Sequence, residues 1–193
     1  MLLPPSFYAR DTLAVARDLL GQRIVHGDVV LRITEVEAYR PGDSANHCRA
    51  GRTARNAAMW GPPGRAYVYL CYGIHHLLNL VTEADGVGAA VLIRAAEPLE
   101  GLQTVRARRG GKSGPVLLTG PGKVGAALGL DTSWSHHPVT ESGGLEVHAG
   151  EGPETVLAGP RVGVDYAEPR HRDAPWRLAS GGSPWVSHRR TLG

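Results

Sequence analysis

The segment Val29-Val30-Leu31-Arg32-Ile33-Thr34-Glu35-Val36-Glu37-Ala38-Tyr39 decides the architecture. Apolar and polar residues alternate along it without a glycine or proline, so it reads as one long strand. Just upstream, Arg23–His26 forms a shorter strand, and Gly27-Asp28 joins the two. Glycine at the first turn position fits a type II′ hairpin. Regular alternation puts Leu31, Ile33, Glu35, Glu37 and Tyr39 on one face and Arg32, Thr34, Val36 and Ala38 on the other. Glu35 and Glu37 then project the same way, about 6.6 Å apart. A carboxylate among apolar neighbours either reaches water at the strand end or sits in a shaped pocket. In a pocket, desolvation raises its pKa and makes it a better general base. The plain alternative is an edge strand with solvated glutamates.

Working outward, residues 11–20 read as an amphipathic helix with Asp11 as N-cap, Leu13, Ala16 and Leu20 as its stripe, and Gly21 as its stop. Arg40–Gly64 is a long connection rich in Gly, Pro, Arg and Asn. Connections of that length inside a compact domain are functional or disordered. Ala66–Tyr72, His75–Val81 and Gly88–Ala95 read as strands, residues 99–109 as a short helix, and Gly110–Gly114 as a flexible link. Thr119 is placed to cap a helix over Pro121–Leu128. Residues 131–160 look turn-rich, Arg161–Tyr166 a late strand, and Trp176–Trp185 ends in a Gly-Gly-Ser-Pro turn. No repeat or linker divides the chain, so residues 1–193 are expected to form one domain. Gly (26) and Pro (14) make up about a fifth of the 193 residues, against a usual ~12%. That excess argues for short elements and many turns and against a helical bundle.

Two cysteines, Cys48 and Cys71, cannot build a disulfide scaffold and are expected as free thiols in a reducing compartment. No apolar run reaches the ~18 residues of a membrane span, and no basic-then-apolar leader opens the chain. A soluble, intracellular protein is the expectation. Net charge is only +3, yet Lys112 and Lys123 are the only lysines, so nearly all positive charge is arginine. Arginine suits bidentate phosphate contacts, although a GC-rich genome produces the same bias.

Tyr67, Tyr69 and Tyr72 fall within six residues, the first two on one strand face and the third at the turn into Gly73. Such a cluster serves a core or a platform for stacking bases. His47 stands in the Arg-rich loop, where an ordinary polar role competes with a catalytic one. No Cys/His ligand spacing appears, which argues against bound zinc. Gly111-Lys112-Ser113 imitates the end of a nucleotide-binding P-loop, but Arg106 occupies the position of its first glycine. Gly120-Pro121-Gly122-Lys123, entering a helix, offers free N–H groups to a phosphate or is simply a capped helix start. Neither lysine looks buried, so Schiff-base chemistry is not expected.

Together these residues resemble the alkyladenine (3-methyladenine) DNA glycosylase family. The resemblance runs from Leu3-Pro4 to Trp185-Val186-Ser187. Its most specific stretches are Thr34–Tyr39, Arg52-x-x-Arg55-Asn56 and Tyr67-Val68-Tyr69-x-x-Tyr72-Gly73. Leu92–Gly101, Gly120–Lys123, Arg161–Val164 and Ser183–Val186 add to them. It implies an α+β single domain around a curved, mostly antiparallel sheet with flanking helices. The implied activity is cofactor-free, metal-free hydrolysis of the N-glycosidic bond of alkylated or deaminated purines in double-stranded DNA.

The same resemblance makes Glu37 the general base, with Arg94 and the main-chain carbonyl of Val162 holding the attacking water. Tyr39, His47, Tyr69 and Asn79 would line the pocket for the extruded base, and Tyr72 would be the wedge filling the gap in the duplex. Arg52, Arg55, Gly122, Lys123 and Ser183 would meet the DNA backbone. Glu35 becomes a partner of the base, not the base itself. A monomer of bacterial, cytoplasmic, nucleoid-associated type is expected. Ile74 and His75 depart from relatives that carry Met and an aromatic there, and the basic Arg106–Lys112 link is variable in character. One rival is a damage-binding protein with the same pocket and wedge but no catalysis. Another is a helix-hairpin-helix module on Gly120–Lys123, which would need a metal-binding carboxylate cluster or a second hairpin, and the sequence shows neither.

Overall fold

The computed structural model describes residues 1–193. In chain order, helices α1 (Pro5–Tyr8) and α2 (Thr12–Leu19) precede strands β1 (Arg23–His26) and β2 (Val29–Tyr39). After the long connection come β3 (Ala66–Cys71), β4 (His75–Val81) and β5 (Ala90–Glu100). Helices α3 (Leu102–Arg108) and α4 (Pro121–Leu128) follow, then β6 (Leu145–His148), β7 (Val156–Gly159), α5 (Pro169–Arg172) and β8 (Arg177–Ser180). All eight strands join one curled antiparallel sheet in an α+β arrangement, in the order β3-β4-β5-β2-β1-β6. The path branches at β2: its first half pairs with β1, while Glu35–Glu37 pair with β8, which carries β7. Helix α2 packs against β2, and α4 lies on β4 and β5. No helix is long and apolar enough to cross a membrane, and both cysteines are free.

The hairpin forms as its sequence requires. His26 pairs with Val29, Gly27 sits at φ +61°, and Asp28 keeps a negative φ, as a type II′ turn demands. Asp11 caps α2 by accepting from the Leu13 and Ala14 amides at 3.0 Å. Within the helix Thr12, Val15, Ala16 and Leu19 are buried; Leu20, just past its end, is buried with them, and half-buried Leu13 packs against the same core.

Regular alternation does not persist along β2. Leu31 and Ile33 enter the main core, and so do Val36 and Ala38. The phase changes between Ile33 and Val36, where Thr34 of β2 and Arg94 of β5 have no residue opposite them. A bulge of this kind re-aims the side chains beyond it. It turns Glu35 and Glu37 to the face opposite Leu31 and Ile33, together with Tyr39 and with Arg94 from β5.

Other expectations shift at element ends. Strand β5 runs on to Glu100, through Pro98, because β4 pairs only with its start, Ala90–Leu92, leaving that end with one neighbour. The following helix is correspondingly shorter. Residues 131–160 contain β6 and β7, too short to stand out as alternation. Arg161–Tyr166 is not a strand: Gly163 takes φ +76° and the Val162 amide donates to a side chain instead of a neighbouring strand. Thr119 does not cap α4, since its hydroxyl donates to Pro115 O at 2.9 Å and Gly120 occupies the N-cap.

A cavity floored by a buried carboxylate

The connection between β2 and β3 is ordered by two buried asparagines. Asn46 donates to Arg40 O (2.9 Å) and Gly88 O (2.8 Å), while its own oxygen accepts from the Cys48 amide. Asn56 ties His47 O and Gly51 O together and accepts from the Thr53 amide. An amide side chain both donates and accepts, so each braces a loop that has no sheet partner. His47 is thereby fixed opposite β3.

There the loop, β3 and the bulged part of the sheet enclose a cavity of about 520 Å³. Glu37, Tyr39, His47, Tyr69, Asn79 and Arg94 all line it. Glu37 is fully buried at its floor. Its Oε1 accepts from the Val162 amide at 2.7 Å and Arg94 Nη1 at 3.1 Å, and its Oε2 accepts from the Tyr39 hydroxyl at 2.9 Å. Val162 thus meets this carboxylate through its N–H, while its carbonyl is the group that the resemblance assigns to the attacking water.

Burial disfavours the charge on Arg94, but Glu37 and Glu35 outweigh it and raise the guanidinium pKa. Burial, followed by the Glu37 charge, pushes the Tyr39 phenol well up. Desolvation likewise raises Tyr69 and takes Tyr67 up to about 12. The aromatic wall is therefore uncharged. His47 is held neutral at physiological pH: burial, then the nearby Arg55 and Arg49, lower its pKa.

Tyr67 stacks on Tyr69 with ring centroids 5.5 Å apart, and His47 meets Tyr69 edge-on at 4.6 Å. His47 Nδ1 and the Tyr67 hydroxyl lie 3.0 Å apart. Asn79 donates to Tyr67 O at 3.1 Å and Leu77 O at 3.3 Å. Behind Tyr39, the Arg161 guanidinium lies 4.6 Å from the ring centroid and forms a bidentate pair with buried Asp43. At the rim stands Tyr72, 91% exposed and at φ +51°, on the β3–β4 turn. Ile74 (72%) and Leu70 (41%) are exposed beside it. An exposed apolar tip on a left-handed backbone is a pattern found at functional sites.

From residue 6 to residue 184 the chain matches the family described as methylpurine-DNA glycosylase (MPG). The chain belongs to that family. It is 67% identical over 192 residues to a Nitrosococcus oceani protein with the provisional name 3-methyladenine DNA glycosylase, covering 99% of this chain and 96% of that one. It is 57% identical over 188 residues to the DNA-3-methyladenine glycosylase of Arabidopsis thaliana, covering 96% and 74%. A Methanocella arvoryzae protein with the same provisional name is 47% identical over 196 residues, covering 97% of this chain and 96% of that one.

In this methylpurine-DNA glycosylase fold the expected backbone-contact residues do not all converge. Arg55 lines the cavity and lies over the Tyr69 ring at 5.7 Å. Pro121, at the start of α4, reaches the same rim, which brings Gly122 and Lys123 close by. Gly122 also has a packing reason, since a Cβ there would stand 2.8 Å from the His75 ring. Arg52 is exposed outside the cavity. Ser183 lies elsewhere, in a depression it shares with Glu97, Glu151 and Glu154. No three His, Cys, Asp or Glu side chains come together as a metal cluster. Tyr67, Asp43, Arg161, Arg177 and Ser187 were not singled out as site residues from sequence. Tyr67 carried a signal in its shared face with Tyr69, and Arg161 and Ser187 stood within the resemblance without a role; Asp43 and Arg177 carried none.

Proposed function

We propose that residues 1–193 act as a single, monomeric and monofunctional DNA glycosylase domain. It extrudes an alkylated or deaminated purine from double-stranded DNA and hydrolyses its N-glycosidic bond. 3-Methyladenine is the first substrate, with hypoxanthine and ethenoadenine as further candidates for the same pocket. One observation carries this reading: a buried carboxylate, Glu37, floors an aromatic cavity whose rim bears the exposed Tyr72.

A base in a stack is out of reach, so the nucleotide must flip, at a cost of a few kcal/mol that is least for damaged pairs. Tyr72 enters the gap as a planar wedge, in the manner of side chains that intercalate from the minor groove. The flipped purine stacks between uncharged Tyr39, Tyr69 and His47, whose electron-rich faces favour an electron-poor or cationic alkylated ring. Asn79 on the wall screens exocyclic groups. The Glu37 carboxylate steadies the oxocarbenium-like sugar as the C–N bond breaks and its electron pair leaves with the purine, neutral when the ring was a cationic alkylpurine. Glu37 then takes the proton of the water whose oxygen bonds the sugar carbon. Arg94 and the Val162 main chain orient Glu37 and the water. Arg52, Arg55, Gly122 and Lys123 are the proposed backbone contacts, so affinity falls as salt rises; Ser183, set among Glu97, Glu151 and Glu154, is left out of them.

Single-turnover base release from duplexes with one ethenoadenine or hypoxanthine tests this reading, with alkali revealing abasic sites. Methylated DNA supplies 3-methyladenine. Wild type releases base, while Glu37→Gln binds the same duplex and loses about 10²–10⁴-fold in rate. Lesion-selective binding without release of any of the three bases would instead favour a damage-binding protein.

A further inference from the structure

Glu35 does not line the cavity, yet it is the most heavily bonded carboxylate in the chain. Its Oε1 accepts from Arg94 Nε (3.0 Å), Arg177 Nη1 (3.1 Å) and Ser187 Oγ (2.9 Å), and its Oε2 from the Ser187 amide (2.6 Å). Glu35 and Arg177 are both fully buried. Arg94 is consequently engaged on every nitrogen: Nε on Glu35, Nη1 on Glu37 and Nη2 on Ser187 Oγ at 3.4 Å.

We infer that the Glu35–Arg177 pair is a positioning and charge-balancing device for Glu37, acting through Arg94. The inference rests on Glu37 being the general base. Two carboxylates and two guanidiniums share this part of the sheet, and their formal charges cancel. Arg177 neutralises Glu35, so Glu35 holds Arg94 by its Nε edge without withdrawing it from Glu37. Arg177 also bonds Pro160 O at 2.9 Å and Thr191 Oγ1 at 2.5 Å. The loop presenting the Val162 amide to Glu37 is thus tied to the same group.

The ionisable groups facing Glu37 are Arg94 on β5, Tyr39 and Glu35 on β2, Arg177 opposite it in register on β8, Tyr69 on β3, and Arg161 before Val162. Removing the charge of Glu35 leaves an excess of positive charge around Glu37. Removing that of Arg177 leaves an excess of negative charge. The two losses therefore push the protonation of Glu37 in opposite directions.

The test is the pH profile of single-turnover base release by wild type, Glu35→Gln, Arg177→Met and the double variant. The acid limb moves to lower pH in Glu35→Gln, to higher pH in Arg177→Met, and back toward wild type in the double variant. Each single variant loses about tenfold in rate at neutral pH. Limbs that stay at the wild-type position in both single variants would overturn the inference, because a structural role alone lowers amount or stability without moving a titration. Should wild type release no base, the general-base reading itself fails. The charge coupling is then read from carbon-13 NMR titration of the Glu37 carboxyl in the free proteins. The same opposite shifts uphold the coupling, and their absence overturns it. The charge-neutral double variant keeps the comparison available if one single variant does not fold.

Discussion

Replacing Tyr72 by asparagine should make the protein more stable and less active. Tyr72 and Gly73 are the central residues of a turn closed by the Ile74 amide donating to Cys71 O at 3.1 Å. Their φ values, +51° and +71°, make it type I′, the turn that prefers Asn-Gly. A side chain with a Cβ costs about 1–2 kcal/mol in this left-handed region, and asparagine less than most. Tyr72 is 91% exposed, so its removal gives up almost no packing. The expected gain is about 1 kcal/mol, or ~2–4 °C in Tm for a chain of this length. Loss of the wedge removes a stacking contact of about 1–3 kcal/mol, so base release falls roughly tenfold to a hundredfold. Thermal melts and single-turnover release are run on wild type, Tyr72→Asn and Tyr72→Ala. Alanine removes the wedge while keeping the strained backbone. A Tm for the asparagine variant no higher than that of the alanine variant would refute the strain, and wild-type release by both would refute the wedge.

Two further outcomes follow from packing and titration. A Cβ on Gly125 would stand 1.9 Å from the His76 carbonyl oxygen, so Gly125→Ala must lift α4 off β4. The cost is about 1–3 kcal/mol, read as a Tm lowered by several degrees, and an unchanged Tm would mean the helix is not seated there. His47 has a pKa lowered below its ordinary 6.5 by burial and by Arg55 and Arg49. Between the folded and unfolded values the unfolded chain binds more protons, so stability rises with pH through that window and is lost as pH falls below 6.5. The Tm of wild type relative to His47→Gln should decline from about pH 7 to about pH 5, and a constant difference would sink the assignment.

Local chemistry was legible wherever the partner was near in sequence. The Gly27-Asp28 hairpin, the Asp11 cap, the shared face of Tyr67 and Tyr69 and the extent of α4 all depend on residues a few positions apart. Strands of four residues, such as β6 and β7, carry too little alternation to be seen. The Arg161–Tyr166 stretch reads as a strand because it is apolar, yet its amide at Val162 is satisfied by Glu37, 125 positions away. Arg177 gave no signal at all, since it meets Glu35 across 142 positions.

The bulge between β2 and β5 explains both why strict alternation fails along β2 and how the site is assembled. With strict alternation, Glu37 would share a face with Leu31 and Ile33, and that face is the core. A buried carboxylate without donors would there cost several kcal/mol. Because Thr34 and then Arg94 fall out of register, the acidic half of β2 turns away from the core and Arg94 turns with it. The branch of the sheet at the same point lets β8 pair with Glu35–Glu37 and bring Arg177 alongside. One local departure from regular pairing thus assembles two carboxylates and two guanidiniums on one face, next to the cavity. Each charge is tolerable only because the others are present, so removing one of them should cost stability, about 3–5 kcal/mol, as well as unbalance the charge around Glu37.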